Sequence, residues 1–375
     1  MEKVRIGVIG VGQIGKGHLR TYAEIPEAEI VAVTDIREDE AKRVAEKFDV
    51  PHVYTDYHEM LERGDLDSVD VCLHNFLHRP VTVDALEAGK NVYCEKPMSW
   101  TYQDAKAMYD AAQETGQMLH IQLGRIYRDE TACAKRIIDE GHLGDLYAVR
   151  SIHYRRRGRP WVDGYGTKAF VNRKTAGGGA IIDVGVYNIS RLLYLMDNPE
   201  VLSVSASTYQ KLANMYEDRR QSGSYDVEEY GTAFVRLADD ITYSMEEAWA
   251  VYADSPEEDR LFGSEGGLRL EPLSYHSTLA DIEMDATFNV EKAIVRWHRC
   301  DPTFQYTFNA DLPYYRRSQH HWISAQLGRV ELLDTAGIGL NTAFITEGIY
   351  LSSRLGREVT AEEIENAEHR LEREA

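Results

Sequence analysis

Residues 10–15 read Gly-Val-Gly-Gln-Ile-Gly, with glycine at the first, third and sixth positions. They follow the apolar run of residues 4–9 and open a stretch of helical periodicity, the strand–turn–helix setting in which a dinucleotide is held. In that reading Gly10 permits the tight turn and Gly12 admits a pyrophosphate to the backbone. Gly15 lets the helix pack against the sheet. Gln13 and Ile14 then form the first helical turn, whose N–H groups suit phosphate oxygens. Asp35 stands 20 residues after Gly15, a spacing that suits a carboxylate bonding ribose hydroxyls. Its charge opposes a 2′-phosphate and favours NAD over NADP, a preference that Arg37 softens. A second stretch, residues 177–195, runs three glycines into an apolar helical pattern carrying Asp183 and Tyr187. Four residues apart, the two share a helix face. Either that face does proton chemistry, or Asp183 is a structural hydrogen-bonding group and Tyr187 is core.

The elements that must position these residues alternate. Apolar runs at 4–10, 29–35, 50–54, 69–74, 91–97 and 117–124 read as strands. Between them, 37–48, 57–64, 79–90 and 101–115 have helical periodicity. Such alternation predicts a doubly wound parallel sheet, with a dinucleotide-binding domain over residues 1–124. From residue 125 the texture changes. After a helix at 129–141, long runs rich in tyrosine, valine and threonine predict an open, mostly antiparallel sheet in a second α/β domain, 125–375. The run Ala-Ile-Val-Arg-Trp-His-Arg at 293–299 is read among those strands. Helices are expected near 318–328 and 335–355, and a charged helical tail over 360–375.

Composition narrows the classes. Of 375 residues, 43% are hydrophobic and 28% charged, ordinary for a soluble globular chain, and no apolar run is long enough for a membrane helix. The net charge of -20 argues against a nucleic-acid partner. Cys72, Cys94, Cys133 and Cys300 are widely spaced, which fits reduced thiols in a cytoplasmic protein and neither a disulfide framework nor a metal site.

Cys-Glu-Lys-Pro-Met at 94–98 completes a larger pattern. With the glycine motif and Asp35 go Leu-His-Asn-Phe-Leu-His at 73–78, Gly-Gly-Gly…Asp-Val-Gly-Val-Tyr at 177–187 and Gly-Ser-Glu-Gly-Gly-Leu-Arg-Leu at 263–270. Along almost its whole length the chain resembles the Gfo/Idh/MocA oxidoreductases. That resemblance implies a Rossmann domain followed by an open-sheet domain, a bound nicotinamide cofactor, and hydride transfer at a secondary alcohol carbon of a sugar, polyol or cyclitol. It implies homodimers or homotetramers paired through the open sheet. Leu73, His74, Asn75, His78 and Glu95 are assigned to the cofactor, and Lys96 to cofactor, substrate and catalysis, with a Lys–Pro bond that is often cis. Asp183 and Tyr187 join Lys96 as catalytic and substrate-binding residues. Most sugar-oxidising members carry histidine where Tyr187 stands; a phenol with a pKa near 10 needs a neighbouring ammonium to act as a base, and Lys96 is the candidate.

Arg125, Tyr127 and Arg157, with Arg155 on the same expected strand face, are candidates for substrate contact or for surface ion pairs. Asn172 and Lys174 precede the glycine run and are candidates for the pocket edge, and His320 and His321 for pocket or structural roles. The glycines at 177–179 are expected to allow close approach near the cofactor. Two further activities fit the resemblance: a glycosidase using transient oxidation by NAD, and a non-catalytic dinucleotide-binding regulator.

Overall fold

The computed structural model describes residues 2–212, 225–254, 257–300 and 317–367. The first six strands are β1 (Val4–Ile9), β2 (Ala28–Thr34), β3 (His52–Tyr54), β4 (Ser68–Val71), β5 (Asn91–Cys94) and β6 (Leu119–Ile121). They form one parallel sheet in the order β3-β2-β1-β4-β5-β6. Strand order reverses between β1 and β4, the place where such sheets bind ligands beyond the strands' carboxyl ends. Helices α1 (Gln13–Ala23), α2 (Glu38–Phe48), α3 (Tyr57–Leu61), α4 (Asn75–Glu87) and α5 (Tyr102–Thr115) connect the strands. The strands are apolar along their length because helices cover both faces; every residue of β4 and β6 is buried.

The second sheet has nine strands in the order β14-β13-β12-β11-β7-β10-β9-β8-β15. These are β7 (Leu146–Tyr154), β8 (Val201–Tyr209), β9 (Tyr230–Leu237), β10 (Thr242–Ala248), β11 (Glu257–Gly263), β12 (Gly267–Arg269), β13 (Ser274–Leu279), β14 (Ile282–Thr287) and β15 (Val359–Thr360). All pairings are antiparallel except β7 with β10. In β9, buried residues alternate with exposed or half-exposed ones, as expected of a sheet with one covered face. The other face leaves Leu202, Tyr209 and Phe234 exposed. Helices α6 (Asp129–Asp139), α7 (Arg173–Ala176) and α8 (Val186–Leu195) belong to this half, and α9 (Val290–Cys300) follows β14.

Two expectations differ from the structure. Residues 293–299 lie in α9, not in a strand, because Val290, Ile294 and Trp297 fall at helical spacing and Ile294 is buried. The division of the chain is also not a single cut at 124/125. One compact unit holds the residues up to Ser99, Asp104–Tyr127 and the described part of Ile294–Gly337; the other holds the remainder. The reason is burial: Trp322 and Ile323, on the helix Ser318–Gln326, are 0% and 2% exposed within the core built by Ile6, Val8 and Leu19. Of the expected tail helix, Ala361–Glu365 is helical and begins with a capping box from Thr360 to Glu363; the rest of that expectation, from residue 368, lies outside the described residues.

Candidate active site

In the first unit β1 delivers the chain into the glycine turn. Gly10 has φ 92°, and a Cβ there would lie 2.5 Å from the Cys72 carbonyl oxygen. A Cβ on Gly15 would come within 2.0 Å of the Gly10 carbonyl oxygen, so α1 sits as close to the turn as its backbone permits. Gly12 differs: a Cβ there would meet nothing within 4 Å. It opens toward free space at the start of α1, which has no side-chain cap and leaves Gln13 and Ile14 exposed. An uncapped helix N-terminus beside open space fits a pyrophosphate. Asp35 is tied to the same turn, accepting from the Val11 amide at 3.2 Å. It also accepts from the Arg37 amide at 3.0 Å and from the Arg37 guanidinium at 3.1 Å. Burial pushes the Asp35 carboxyl up, but the Arg37 bonds outweigh it and hold the group below its ordinary value. These residues fit a dinucleotide with free ribose hydroxyls.

The loops after β4 and β5 end at the same sheet edge. His74 precedes α4 and is exposed, with Leu73 and Asn75 half-buried on either side. His78 differs from its expected cofactor role. It is 0% exposed, with Nδ1 2.8 Å from the Pro97 carbonyl oxygen and Nε2 3.1 Å from that of Leu73. One turn into α4 it points into the protein, so it ties the two loops together and has no edge left for a ligand. The Lys96–Pro97 bond is cis, and Lys96 is half-buried. Glu95, 8% exposed, accepts from the Lys96 amide at 3.0 Å through one oxygen. Its other oxygen lies 2.8 Å from His18 Nε2, and His18 Nδ1 lies 2.8 Å from Asp70.

Of the expected substrate residues in this unit, Arg125 is half-buried just beyond β6. Tyr127 is drawn into a buried aromatic cluster, with its hydroxyl 2.7 Å from His120 Nε2 and its ring 5.7 Å from that of His321. That hydroxyl therefore does core work. His321 Nε2 accepts from the Leu333 amide at 2.9 Å, and burial pushes the His320 pKa down to about 3; both side chains are buried. A cavity of about 490 Å³ is lined by His18, Arg20, Glu24, Gln122, Tyr127 and Arg317, among others.

In the second unit the chain enters α8 through a π-helical turn, Ile181–Gly185, where the Val186 amide reaches back to the Ile181 carbonyl. Such turns widen a helix and recur at functional sites. Asp183, Val184 and Tyr187 are half-exposed, whereas Ile181, Ile182, Gly185 and Val186 are buried, so Asp183 and Tyr187 do share one accessible stripe. The Asp183 carboxylate is oriented: Trp249 Nε1, on a side chain 0% exposed, donates to it at 3.1 Å. Trp249 follows β10 and packs against Val162, Val171 and Val227.

The triple glycine packs into this unit's interior. A Cβ on Gly178 would strike the Tyr350 hydroxyl at 1.9 Å, and one on Gly179 the Glu228 carbonyl oxygen at 1.9 Å. The buried Glu228 carboxylate accepts from the amides of Gly179 and Ile181, both at 3.0 Å, and from the Tyr350 hydroxyl at 2.9 Å. The amides at this turn are thus satisfied by a protein carboxylate. Asn172 caps α7, accepting from the Lys174 amide at 2.9 Å, and Lys174 is exposed. Arg155 and Arg157 are not on a strand face, because β7 ends at Tyr154. Arg155 donates to the Tyr165 hydroxyl at 2.9 Å, and Arg157 stands exposed, 3.9 Å from Asp163.

Sequence reasoning missed His18, Asp70, Trp249 and Glu228. An acid in the middle of a fully buried strand marks Asp70 in hindsight, and a histidine three residues after Gly15 marks His18. Trp249 and Glu228 carry no such local signal, since their partners lie far away in sequence.

Comparison with known proteins places this arrangement. Residues 4–123 match the family model described as "Oxidoreductase family, NAD-binding Rossmann fold", and residues 131–269 match the GFO/IDH/MocA C-terminal domain. The chain belongs to the Gfo/Idh/MocA family. It is 34% identical over 228 residues to D-glucoside 3-dehydrogenase of Escherichia coli (strain K12), covering 60% of this chain and 63% of that one. It is 35% identical over 154 residues to inositol 2-dehydrogenase of Salmonella typhimurium, covering 40% of this chain and 46% of the relative. These matches span less than two thirds of the curated relatives. Among solved structures, levoglucosan dehydrogenase in complex with NADH superimposes with a TM-score of 0.78 at 20% identity, over 96% of this chain and 99% of that one, a likeness of fold.

Proposed function

We propose that the protein is an NAD-dependent oxidoreductase that transfers a hydride from a secondary alcohol carbon of a sugar, polyol or cyclitol. The observation that carries the chemistry is the accessible stripe on which Asp183 and Tyr187 stand together, with Asp183 fixed by Trp249. Bound NAD supplies the hydride acceptor. Tyr187 exchanges the proton of the reacting hydroxyl. Lys96 contributes a positive charge that favours both the phenolate of Tyr187 and the developing alkoxide. Asp183, with one oxygen engaged by Trp249, accepts from a substrate hydroxyl and orients the ring. The dehydrogenase names of the relatives support a hydroxyl-rich substrate.

The preference for NAD over NADP rests on Asp35, buried at the turn and ionised by Arg37. NADH formation is measured with methyl glucosides, levoglucosan, free hexoses and inositols. Net NADH formation with at least one of them is expected. Tyr187→Phe should lower kcat by 10²-fold or more, about the worth of a positioned general base, with NADH affinity unchanged. Near-normal turnover of that variant sinks the role given to Tyr187.

A further inference from the structure

Beneath the glycine turn, the first unit buries a titratable group that the proton chemistry above does not use. His18 projects from the core side of α1 and is 6% exposed. Each ring nitrogen faces a carboxylate: Nδ1 lies 2.8 Å from Asp70, which is 0% exposed, and Nε2 lies 2.8 Å from Glu95. A neutral imidazole has one N–H and one lone pair, so it would donate to one carboxylate and turn its lone pair on the other. With both carboxyls ionised, bonding distance on each side calls for both ring protons, that is, an imidazolium making two charge-assisted bonds, with Cys72 Sγ a further 3.3 Å contact at Nδ1.

The surroundings agree. Cys72 donates to the second Asp70 oxygen at 3.2 Å, and burial keeps its thiol neutral by pushing its pKa above the ordinary range. The Tyr93 ring meets His18 edge-on at 5.7 Å, and burial raises the pKa of Tyr93, as it does that of Tyr22. The charged groups bonded to His18 are thus Asp70 and Glu95, while Arg20, Glu24 and Arg317 line the cavity at its edge. His18, Asp70 and Cys72 have the donor types of a metal site. In the imidazolium form His18 has no lone pair to give a metal, which favours a hydrogen-bonded cluster over a metal site.

We propose that His18 is a positioning residue: an imidazolium at neutral pH whose Nε2 anchors Glu95, so that Glu95 holds the Lys96 backbone and offers the cofactor a fixed carboxylate. Glu95 is the link, with one oxygen on His18 and the other on the Lys96 amide at 3.0 Å. The proposal rests on the reading that the Glu95–Lys96 segment serves the NAD site.

Two measurements on the full-length protein test it. In the wild type, ¹⁵N NMR of histidine-labelled protein, with His18 assigned by its loss in His18→Gln, should show both ring nitrogens protonated at pH 8. NADH titrations should show binding weakened about tenfold in His18→Gln and in Glu95→Gln, the scale of one charge-assisted bond. The double variant should be no worse than either single one, since both break the same link. An imidazole already neutral at pH 7 overturns the proposal. So do additive losses, or a folded His18→Gln protein that binds NADH within twofold of wild type. Should His18→Gln fail to fold, Glu95→Gln still decides: NADH binding within twofold of wild type overturns the proposal. A protein with the expected NMR signature and NADH couplings that oxidises no sugar overturns the proposed function instead.

Discussion

Two side chains at the glycine turn carry the proposed preference for NAD over NADP. Asp35 places its carboxylate where ribose hydroxyls belong, and Arg37 folds onto it through both its amide and its guanidinium. While that pair stands, the charge of Asp35 meets any 2′-phosphate and the arginine is already engaged. Removing the carboxylate frees the guanidinium for phosphate. Asp35→Ser should therefore raise the affinity for NADPH relative to NADH by about tenfold, or about 1.4 kcal/mol. Arg37→Ala in that background should reverse the gain. Fluorescence titration with both cofactors reads this directly, and an unchanged ratio in Asp35→Ser removes Asp35 from the discrimination. Asp35 was legible because its partner motif lies nearby at a regular spacing. His18 was not, because what defines it is a carboxylate 52 residues away.

At the scale of elements, the segment 177–195 shows what local pattern can and cannot tell. Its apolar helix and its paired Asp183 and Tyr187 follow from residue spacing, and both are on the half-exposed stripe of the structure. The role of the glycines does not follow, because the groups they accommodate are Tyr350 and Glu228 from distant parts of the chain. Glu228 acts as a cap for the π-helical turn, replacing water or ligand at the amides of Gly179 and Ile181. Glu228→Ala leaves those donors and the Tyr350 hydroxyl without their acceptor, and should cost about 2–4 kcal/mol. Denaturant unfolding measures it. Because the turn carries Asp183, catalytic activity should fall with stability; a loss below about 1 kcal/mol would show that water replaces the cap. The reading of 293–299 as a strand failed for a related reason. Its valine, isoleucine and tryptophan favour strands singly, while the spacing from Val290 to Trp297 is helical.

Over the whole molecule, buried titratable groups set the response to pH. The His18 pKa is raised well above its ordinary value: burial pushes it down, but Asp70 and the other partners prevail. Its contribution to stability is complete below about pH 6.5, the unfolded value, and is lost as pH rises toward the folded one. Burial raises Glu228 and Glu229. Their contribution is present below about pH 4.3 and is lost as pH rises through their folded values. Glu95 and Asp35 are lowered, burial notwithstanding, by His18 and Arg37, so theirs is present above that pH and lost in acid. The His18 window and that of Glu95 and Asp35 overlap between about pH 4.3 and 6.5, while the loss of the Glu228 and Glu229 contribution begins at about pH 4.3. Tm should therefore peak between about pH 4.5 and 6.5 and decline toward pH 9. His18→Gln should flatten the decline above pH 6.5, and Glu228→Gln the loss that begins at about pH 4.3. Thermal melts across pH check both; a maximum near pH 8 would contradict the assignment of charges.

The return of residues 317–337 to the first unit bears on how the protein is made. All six strands of the first sheet are complete by Ile121, yet the core they enclose includes Trp322 and Ile323, and the Ile121 amide is satisfied by the Thr335 hydroxyl at 2.9 Å. Translation supplies those residues some 200 positions later, roughly 10 to 40 seconds at ordinary ribosomal rates. During that interval the part of the core that Trp322 and Ile323 fill stays open, while eight of the second sheet's nine strands are threaded out behind it. The Rossmann core is therefore begun before the second sheet and completed only after eight of that sheet's strands have been made.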